Sequence, residues 1–560
     1  MNLKKFFLIG IIFILLSTTN LFAFMQNNNK KIYSSDYIKN YLYGSISHNE
    51  NKHNLAAKNF NKNLKLSGKH TDYDIKYITS LIINEKFDQA SKILLNVEGN
   101  YSDIFIFNFI KSIYFLKQAE YDNALKELNK IRSSDRLFNE LKKTIYFWIE
   151  LKNGKESKKK TIKNLSLNNS GIVLINQFLA SRFVSNKKLY DTYNKEILYL
   201  NNFVRYKILS SWNFARDGEH KQSLNILKST ISQSSQNILL KQSYKNLYNK
   251  NYKILSFFKP GLFNHNLSEV FYLFSNLYQQ RQDIFFSDLL LSISIEFNKN
   301  FLSNNLVRFE NRLINNSEHK FNYLFINNLK NIGDEYKWYV NFNLLRHSGN
   351  QNISNLEESI NSKDLFIKEK YMDVANFFRI KKNYESALKY YNKVQNLNLN
   401  LDWSFYYYKG ICYERLKKWK KSEKNLLKSI SLAPDKYTVI NYLAYSWLER
   451  RENIDKATAM LERAVELSKG EKGYIIDSLG WAYFHKQDYD KAEMLLKTAY
   501  EKASYESEVY DHYGDVLWKQ KKFLQARYIW QNALKLKTIE PERAKSIKEK
   551  IINGISSEQN

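Results

Sequence analysis

Cysteine is nearly absent from this chain: Cys412 is the only one in 560 residues. A lone thiol closes no internal disulfide and builds no cysteine-rich metal site. It reads as a small buried hydrophobe. No cysteine stands near the amino terminus, so no thiol is there to carry a lipoprotein anchor. Proline occurs three times and glycine 16 times, which leaves too few turn formers for a β architecture of many short strands. The chain also lacks a glycine-rich phosphate loop, an H-E-x-x-H zinc pair and a G-x-S-x-G nucleophile elbow. No alternation of strand and helix patterns is present that could supply an α/β catalytic domain.

The nine histidines are scattered. His48 and His53 lie in an asparagine-rich segment that reads as a repeat turn, and His485 ends a helical stretch, where a cation meets the helix dipole favourably. His512 stands beside Asp511 and Asp515, but on a helix it points about 100° away from Asp511. The expectation is therefore no catalytic residue, no metal, no cofactor and no enzyme.

Charge is plentiful and one-sided, with 86 Lys and Arg against 56 Asp and Glu, a net +30. The excess is spread along the chain, and residues 435–516 reverse it with 16 acidic against 11 basic residues. The abundance of Asn, Lys, Ile and Tyr is explained more simply by A/T-rich coding than by a functional demand, which weakens a functional reading of the net charge. The densest basic run, Lys417, Lys418, Lys420, Lys421, Lys424 and Lys428, reads as a solvated outer helix face. No nucleic-acid module is visible and no nucleic-acid partner is expected.

What is present is a period. Small residues return at Gly410, Ala444, Gly480 and Gly514, at steps of 34, 36 and 34. A second series follows 12 or 13 residues behind, at Ser422, Ala457, Ala492 and Ala526, and a third seven further on, at Ser429, Ala464, Ala499 and Ala533. Within one unit, Ile476, Leu479, Gly480 and Tyr483 form a helical stripe. Gln487–Asp490 is a polar turn, and Ala492, Leu496 and Ala499 mark the inner face of a second helix. Glycine costs a helix about 1 kcal/mol relative to alanine, so its return at one register position points to close helix crossing.

These residues resemble the tetratricopeptide repeat (TPR), with its usual length of about 34 residues and the pattern W-x2-L-G-x2-Y…A-x3-F…P. The matches are Ile476-x2-Leu479-Gly480-x2-Tyr483 with Ala492-x3-Leu496, and Tyr510-x2-Tyr513-Gly514 with Ala526-x3-Trp530. Ahead of them stand Ile440-x2-Leu443-Ala444-x2-Trp447, Tyr406-x2-Lys409-Gly410-x2-Tyr413, and a fifth copy over Tyr371, Ala375, Phe378, Tyr384, Ala387 and Tyr391. Ala56, Ala90 and Ala124 carry the same step of 34 near the amino terminus. In the middle, Ser211 with Ser223 and Ser275 with Ser287 keep only the interval of 12. The resemblance implies an all-α helix–turn–helix solenoid with degenerate central repeats. The expected organisation is a signal peptide over 1–23, a linker over 24–32, TPR-like repeats over 33–134, degenerate repeats over 135–365, a TPR array over 366–538, and a helix and tail over 539–560.

The first residues read as a secretory signal: Lys4 and Lys5, an apolar run Phe6–Leu16, then Ser17-Thr18-Thr19-Asn20, with a cleavage site after Ala23. The run suits a signal better than the roughly 20 residues of a bilayer span. An uncleaved anchor is the alternative. Signal and repeats together resemble exported TPR proteins of proteobacterial envelopes, which implies a periplasmic location and association with envelope or membrane complexes.

In TPR arrays the first helix of each pair lines the concave face. Carried over by register, that face comprises Tyr407, Asn441, Tyr445, Asp477, Trp481, Asp511, Asp515 and Trp518, with Asn376 ahead of them. Aromatic platforms beside carboxylates suit a peptide bearing basic or amide groups. The expected function is a scaffold for protein–protein interaction in envelope assembly or secretion. The alternative is a glycan- or cell-wall-binding accessory protein, with an enzyme third.

Overall fold

The computed structural model describes residues 34–97, 103–154, 157–200, 203–314, 323–347, 353–357, 360, 363–503, 505–537 and 539–555. The signal and linker read over 1–32 lie outside them. Among the described residues every regular element is a helix, and successive helices pair. The protein is an all-α, TPR-type helical solenoid that divides into two units, Met1–Ser359 and Ile360–Asn560.

The small residues do what their period implies. A Cβ on Gly480 would lie 2.7 Å from Leu496 Cγ, one on Gly410 2.9 Å from Leu426, and one on Gly44 2.6 Å from the Phe60 ring. Ala457, Ala492, Ala526, Ser422 and Ser429 are fully buried at the crossings. Two of the serines bond across them: Ser422 Oγ donates to the Gly410 carbonyl at 2.9 Å and Ser429 Oγ to the Trp403 carbonyl at 2.8 Å.

The turn inside each helix pair explains how a chain so poor in glycine folds this way. A left-handed residue recurs at Asn51, Glu85 and Ala119, then Ser185, Gly218, Lys250 and Gln282, and again at Lys382, Lys417, Arg451, Gln487 and Lys521. All but one are non-glycine, at a cost of roughly 1–2 kcal/mol each. The following helix is often started by an Asx cap, as at Asn186, Asn251, Asp283, Asn383 and Asp488, which satisfies otherwise orphaned amide donors. The abundant asparagine therefore has structural work.

In the first unit the relevant helices are α1 (Ser35–Asn49), α2 (His53–Phe60), α3 (Thr71–Ile83), α4 (Phe105–Lys117), α5 (Arg136–Asn153), α6 (Val204–Arg216), α7 (Phe263–Gln280), α8 (Ile284–Phe297) and α9 (Leu302–Ile314). The middle consists of helix pairs, and the serine pairs mark their crossings: Ser211 and Ser223 hydroxyls lie 2.8 Å apart, Ser275 and Ser287 3.4 Å. The unit also turns back on itself. α8 lies against α3, and α7 against α5. Tyr278 donates to Asp135 at 2.5 Å, Lys117 pairs with Glu296 at 2.9 Å, and Arg308 pairs with Glu85. His48 and His53 form the rest of that seam, edge-on to each other at 5.1 Å and with His48 5.4 Å from Phe285. They are buried and held well below ordinary histidine values, chiefly by desolvation, at about 4 for His48 and about 3 for His53. The two are neutral core residues and not a surface turn.

The second unit is built from α10 (Ile367–Ile380), α11 (Tyr384–Gln395), α12 (Trp403–Arg415), α13 (Trp419–Leu432), α14 (Tyr437–Leu448), α15 (Ile454–Leu467), α16 (Gly473–His485), α17 (Tyr489–Lys502), α18 (Ser507–Lys519), α19 (Phe523–Ala533) and α20 (Pro541–Asn553). α20 starts on Pro541 and packs against α19. Its buried Ile547 joins Tyr510, Leu517 and Trp530 in one apolar cluster. Helix α20 is thus the closing helix of the array, so the folded unit runs past 538.

Candidate functional site

The first helix of each pair in the second unit, α12, α14, α16 and α18, brings most of the register-predicted residues onto one side. At its acidic end the centre is His512. Its Nδ1 lies 2.9 and 3.1 Å from the two oxygens of Asp477, one repeat earlier. Its ring stacks on Trp481 with centroids 4.1 Å apart and planes 12° from parallel. Burial opposes a charge on the imidazole, but the Asp477 carboxylate outweighs it and raises His512 to about 9. Burial also pushes the Asp477 carboxyl up.

Around this pair the remaining charges are matched internally. Lys550 Nζ lies 2.7 Å from Asp511 and 2.7 and 2.8 Å from the two oxygens of Asp515. Arg543 reaches Asp511 at 3.2 Å and Glu508 at 2.7 Å. Tyr445 donates to Glu508 at 3.0 Å across two repeats. Desolvation drives the Asp515 carboxyl up in spite of Lys550.

This geometry corrects the sequence reading of the aspartates as ligand-selecting groups. Asp477, Asp511 and Asp515 are only 4%, 6% and 6% exposed, and His512, Lys550 and Arg543 already neutralise them. An unpaired buried carboxylate costs several kcal/mol, and the closing helix supplies the cations that avoid it. Trp481 is likewise no open platform. One face carries His512 and the other side carries Phe484, stacked at 4.5 Å, while Nε1 donates to Glu449 at 3.1 Å. Trp518 lies in the apolar cluster under α20, 4.5 Å from Phe523 and 5.6 Å from Trp530.

Tyr407 and Asn441 stand outside this network, and Tyr445 enters it only through Glu508 and the edge of His512. Tyr407 and Asn441 are half-buried. Tyr407 meets Tyr442 edge-on at 5.7 Å and is raised to about 12, mainly by burial and then by its tyrosine neighbours Tyr408 and Tyr474. Asn441 Oδ1 is buried with no hydrogen-bond partner. Asn376, on α10, accepts from Tyr391 at 2.7 Å. Sequence reasoning weighed His512 only against the aspartates of its own helix and passed over Glu508, Arg543 and Lys550. The available signal was spacing: Asp477–His512 and Asp515–Lys550 are each 35 residues apart, one repeat plus one position. Among the described residues no group of three or more His, Cys, Asp or Glu is arranged to hold a metal ion.

The His512–Asp477 pair makes the unit sensitive to alkali. A histidine whose folded value is raised above 6.5 contributes stability that is complete below pH 6.5 and is lost as pH rises through the folded value of about 9. The expected loss between pH 6.5 and 9.5 is on the order of 2–3 kcal/mol. His512→Gln should flatten that slope in urea unfolding followed over this pH range. An unchanged slope in the variant would assign the alkaline loss to other groups.

No family model matches the chain, and no curated protein matches it. Solved structures match part of it. MamA from Desulfovibrio magneticus RS-1 is 18% identical over 30% of this chain and 94% of its own, with a TM-score of 0.27. TTC0263, a thermophilic TPR protein of Thermus thermophilus, is 15% identical over 32% of this chain and 97% of its own, with a TM-score of 0.29. These likenesses reach about a third of the chain and carry no argument about its activity.

Proposed function

We propose that this protein is an exported helical-repeat scaffold that holds a protein or peptide ligand in cell-envelope assembly or secretion. The observation that supports the ligand site is the non-acidic part of the first-helix face, Asn376, Tyr407, Asn441 and Tyr445. There aromatic rings remain partly open and the Asn441 amide oxygen has no partner. An extended peptide offers apolar side chains to the tyrosines, and its backbone N–H groups are donors for the Asn441 amide once rotation of that side chain brings the oxygen to the surface. The ligand is amide-bearing and is not selected by Asp477, Asp511 or Asp515, whose charge is spent inside the protein. The glycan alternative loses ground because stacking a sugar ring needs an uncovered aromatic face, and Trp481 is covered on both sides.

Export is supported by Lys4, Lys5 and the Phe6–Leu16 run. Among the described residues no helix is long and apolar enough to cross a membrane. The mature protein is expected outside the cytoplasm with an amino terminus near Phe24, read by sequencing of the fractionated protein. Recovery of intact Met1 in the membrane pellet would make it an anchored protein facing the same compartment. A reporter fused at Asn560 that works only in the cytoplasm would defeat the proposal.

A further inference from the structure

Helix α13 differs from its counterparts on the outer side of the second unit. Lys420, Lys421, Lys424 and Lys428, with Lys417 and Lys418 in the turn before it, are all exposed. None of the six takes part in an ion pair among the described residues. In later repeats the counterpart of Lys428, Arg463, is paired with Asp435, and the counterpart of Lys418, Lys522, with Glu493, while the counterpart of Lys421, Lys456, lies over the Trp447 ring. The sole acid of α13, Glu423, is turned inward to accept from Trp447 Nε1 at 2.7 Å.

At 100° per residue, Leu427, Lys420, Ser431, Lys424, Lys428, Lys421 and Leu432 fall in that order within an arc of about 140°. The buried Ser422, Leu426 and Ser429 lie on the opposite side. Leu427 and Leu432 edge the basic arc and are 43% and 44% exposed. Lysine stems can lie along an apolar surface while their ammonium groups reach outward.

We propose that this face of α13 docks on an anionic phospholipid surface. Unmatched ammonium groups supply the attraction to lipid phosphates, and the two flanking leucines supply shallow apolar contact. Leucines at the edges of the arc favour a bilayer over a nucleic-acid backbone, which offers them nothing to bury against. The inference is independent of the peptide-binding reading, because it uses the outer second helices and not the first-helix face.

The test is flotation of the full chain with vesicles of phosphatidylglycerol and phosphatidylcholine, against vesicles of phosphatidylcholine alone. Any insertion of the amino-terminal apolar run acts on both vesicle types, so the anionic-to-neutral ratio is the readout. Lys420→Glu/Lys424→Glu/Lys428→Glu should lower that ratio by about tenfold or more. Lys187→Glu/Lys188→Glu/Lys195→Glu, the same charge change on a helix of the first unit, should leave it within about twofold. Leu427→Ser/Leu432→Ser should weaken binding most at high salt, where the electrostatic part is screened. If charge reversal lowers the melting temperature, the triple Lys→Gln variant replaces it. Equal loss in both charge-reversed proteins would show an effect of net charge and overturn the proposal. So would equal binding to the two vesicle types by the unaltered chain, or capture of duplex DNA in preference to vesicles.

Discussion

Lys550→Ala should cost the second unit about 3–5 kcal/mol, the range for removing one partner of a buried charge network. The Lys550 ammonium is the common partner of Asp511 and Asp515, at 2.7 Å from each, and none of the three groups is more than 9% exposed. Without it, two buried carboxylates share one pocket, with Arg543 answering only Asp511. One of them must take up a proton or draw in water, and α20 loses its electrostatic seat on the array. Urea unfolding followed by circular dichroism should show the second unit melting early. Lys550→Ala with Asp515→Asn should recover part of the loss, since the charge left behind is then smaller. A loss under about 1 kcal/mol would mean that water already solvates this cluster.

Arg205→Leu should cost the first unit a similar about 3–5 kcal/mol. The guanidinium on α6 donates through Nε to Glu269 of α7 at 2.8 Å and through a second nitrogen to its other oxygen. It lies against the rings of Tyr272 and Phe301, at 4.9 and 4.5 Å, which meet each other at 5.1 Å. Desolvation works against the charge, but Glu269 more than compensates and holds Arg205 above its ordinary value. Glu269 is fully buried, so removing Arg205 strands a carboxylate in the core. The early transition should belong to the first unit, and Arg205→Leu with Glu269→Leu should restore most of the stability, because two apolar groups leave nothing unpaired.

The contrast between what could and could not be read from the sequence follows from spacing. The solenoid was legible because close helix crossings demand small side chains, and Gly480 against Leu496 or Ala492 at full burial leaves no alternative. The middle was obscure because small residues there keep only the interval of 12 within a helix pair, as Ser211 with Ser223 and Ser275 with Ser287, and lose the step of about 34 from one pair to the next. The turning back of the first unit depends on pairs such as Lys117–Glu296, 179 residues apart, which no local pattern encodes.

The candidate site was half legible for a related reason. Register placed Tyr445, Asp477, Trp481, Asp511 and Asp515 on neighbouring first helices, where they are found. It could not say whether that side was open. His512 was weighed against Asp511 and Asp515 on its own helix, yet its partner is Asp477 on the preceding one. Lys550 and Arg543 come from a closing helix beyond the last recognisable repeat, so by register alone the aspartates read as awaiting a ligand that the chain already contains.

The central claim, an exported scaffold that holds peptide on the open part of the first-helix face, is tested most directly by photocrosslinking in living cells. Benzoylphenylalanine would replace Tyr407 or Asn441, and in a parallel protein Met494, which is 60% exposed on a second helix. Adducts with other exported proteins are expected from positions 407 and 441 and none from 494. Adducts from 494 alone, an absence of adducts at all three positions, or adducts only with cytoplasmic proteins would contradict it.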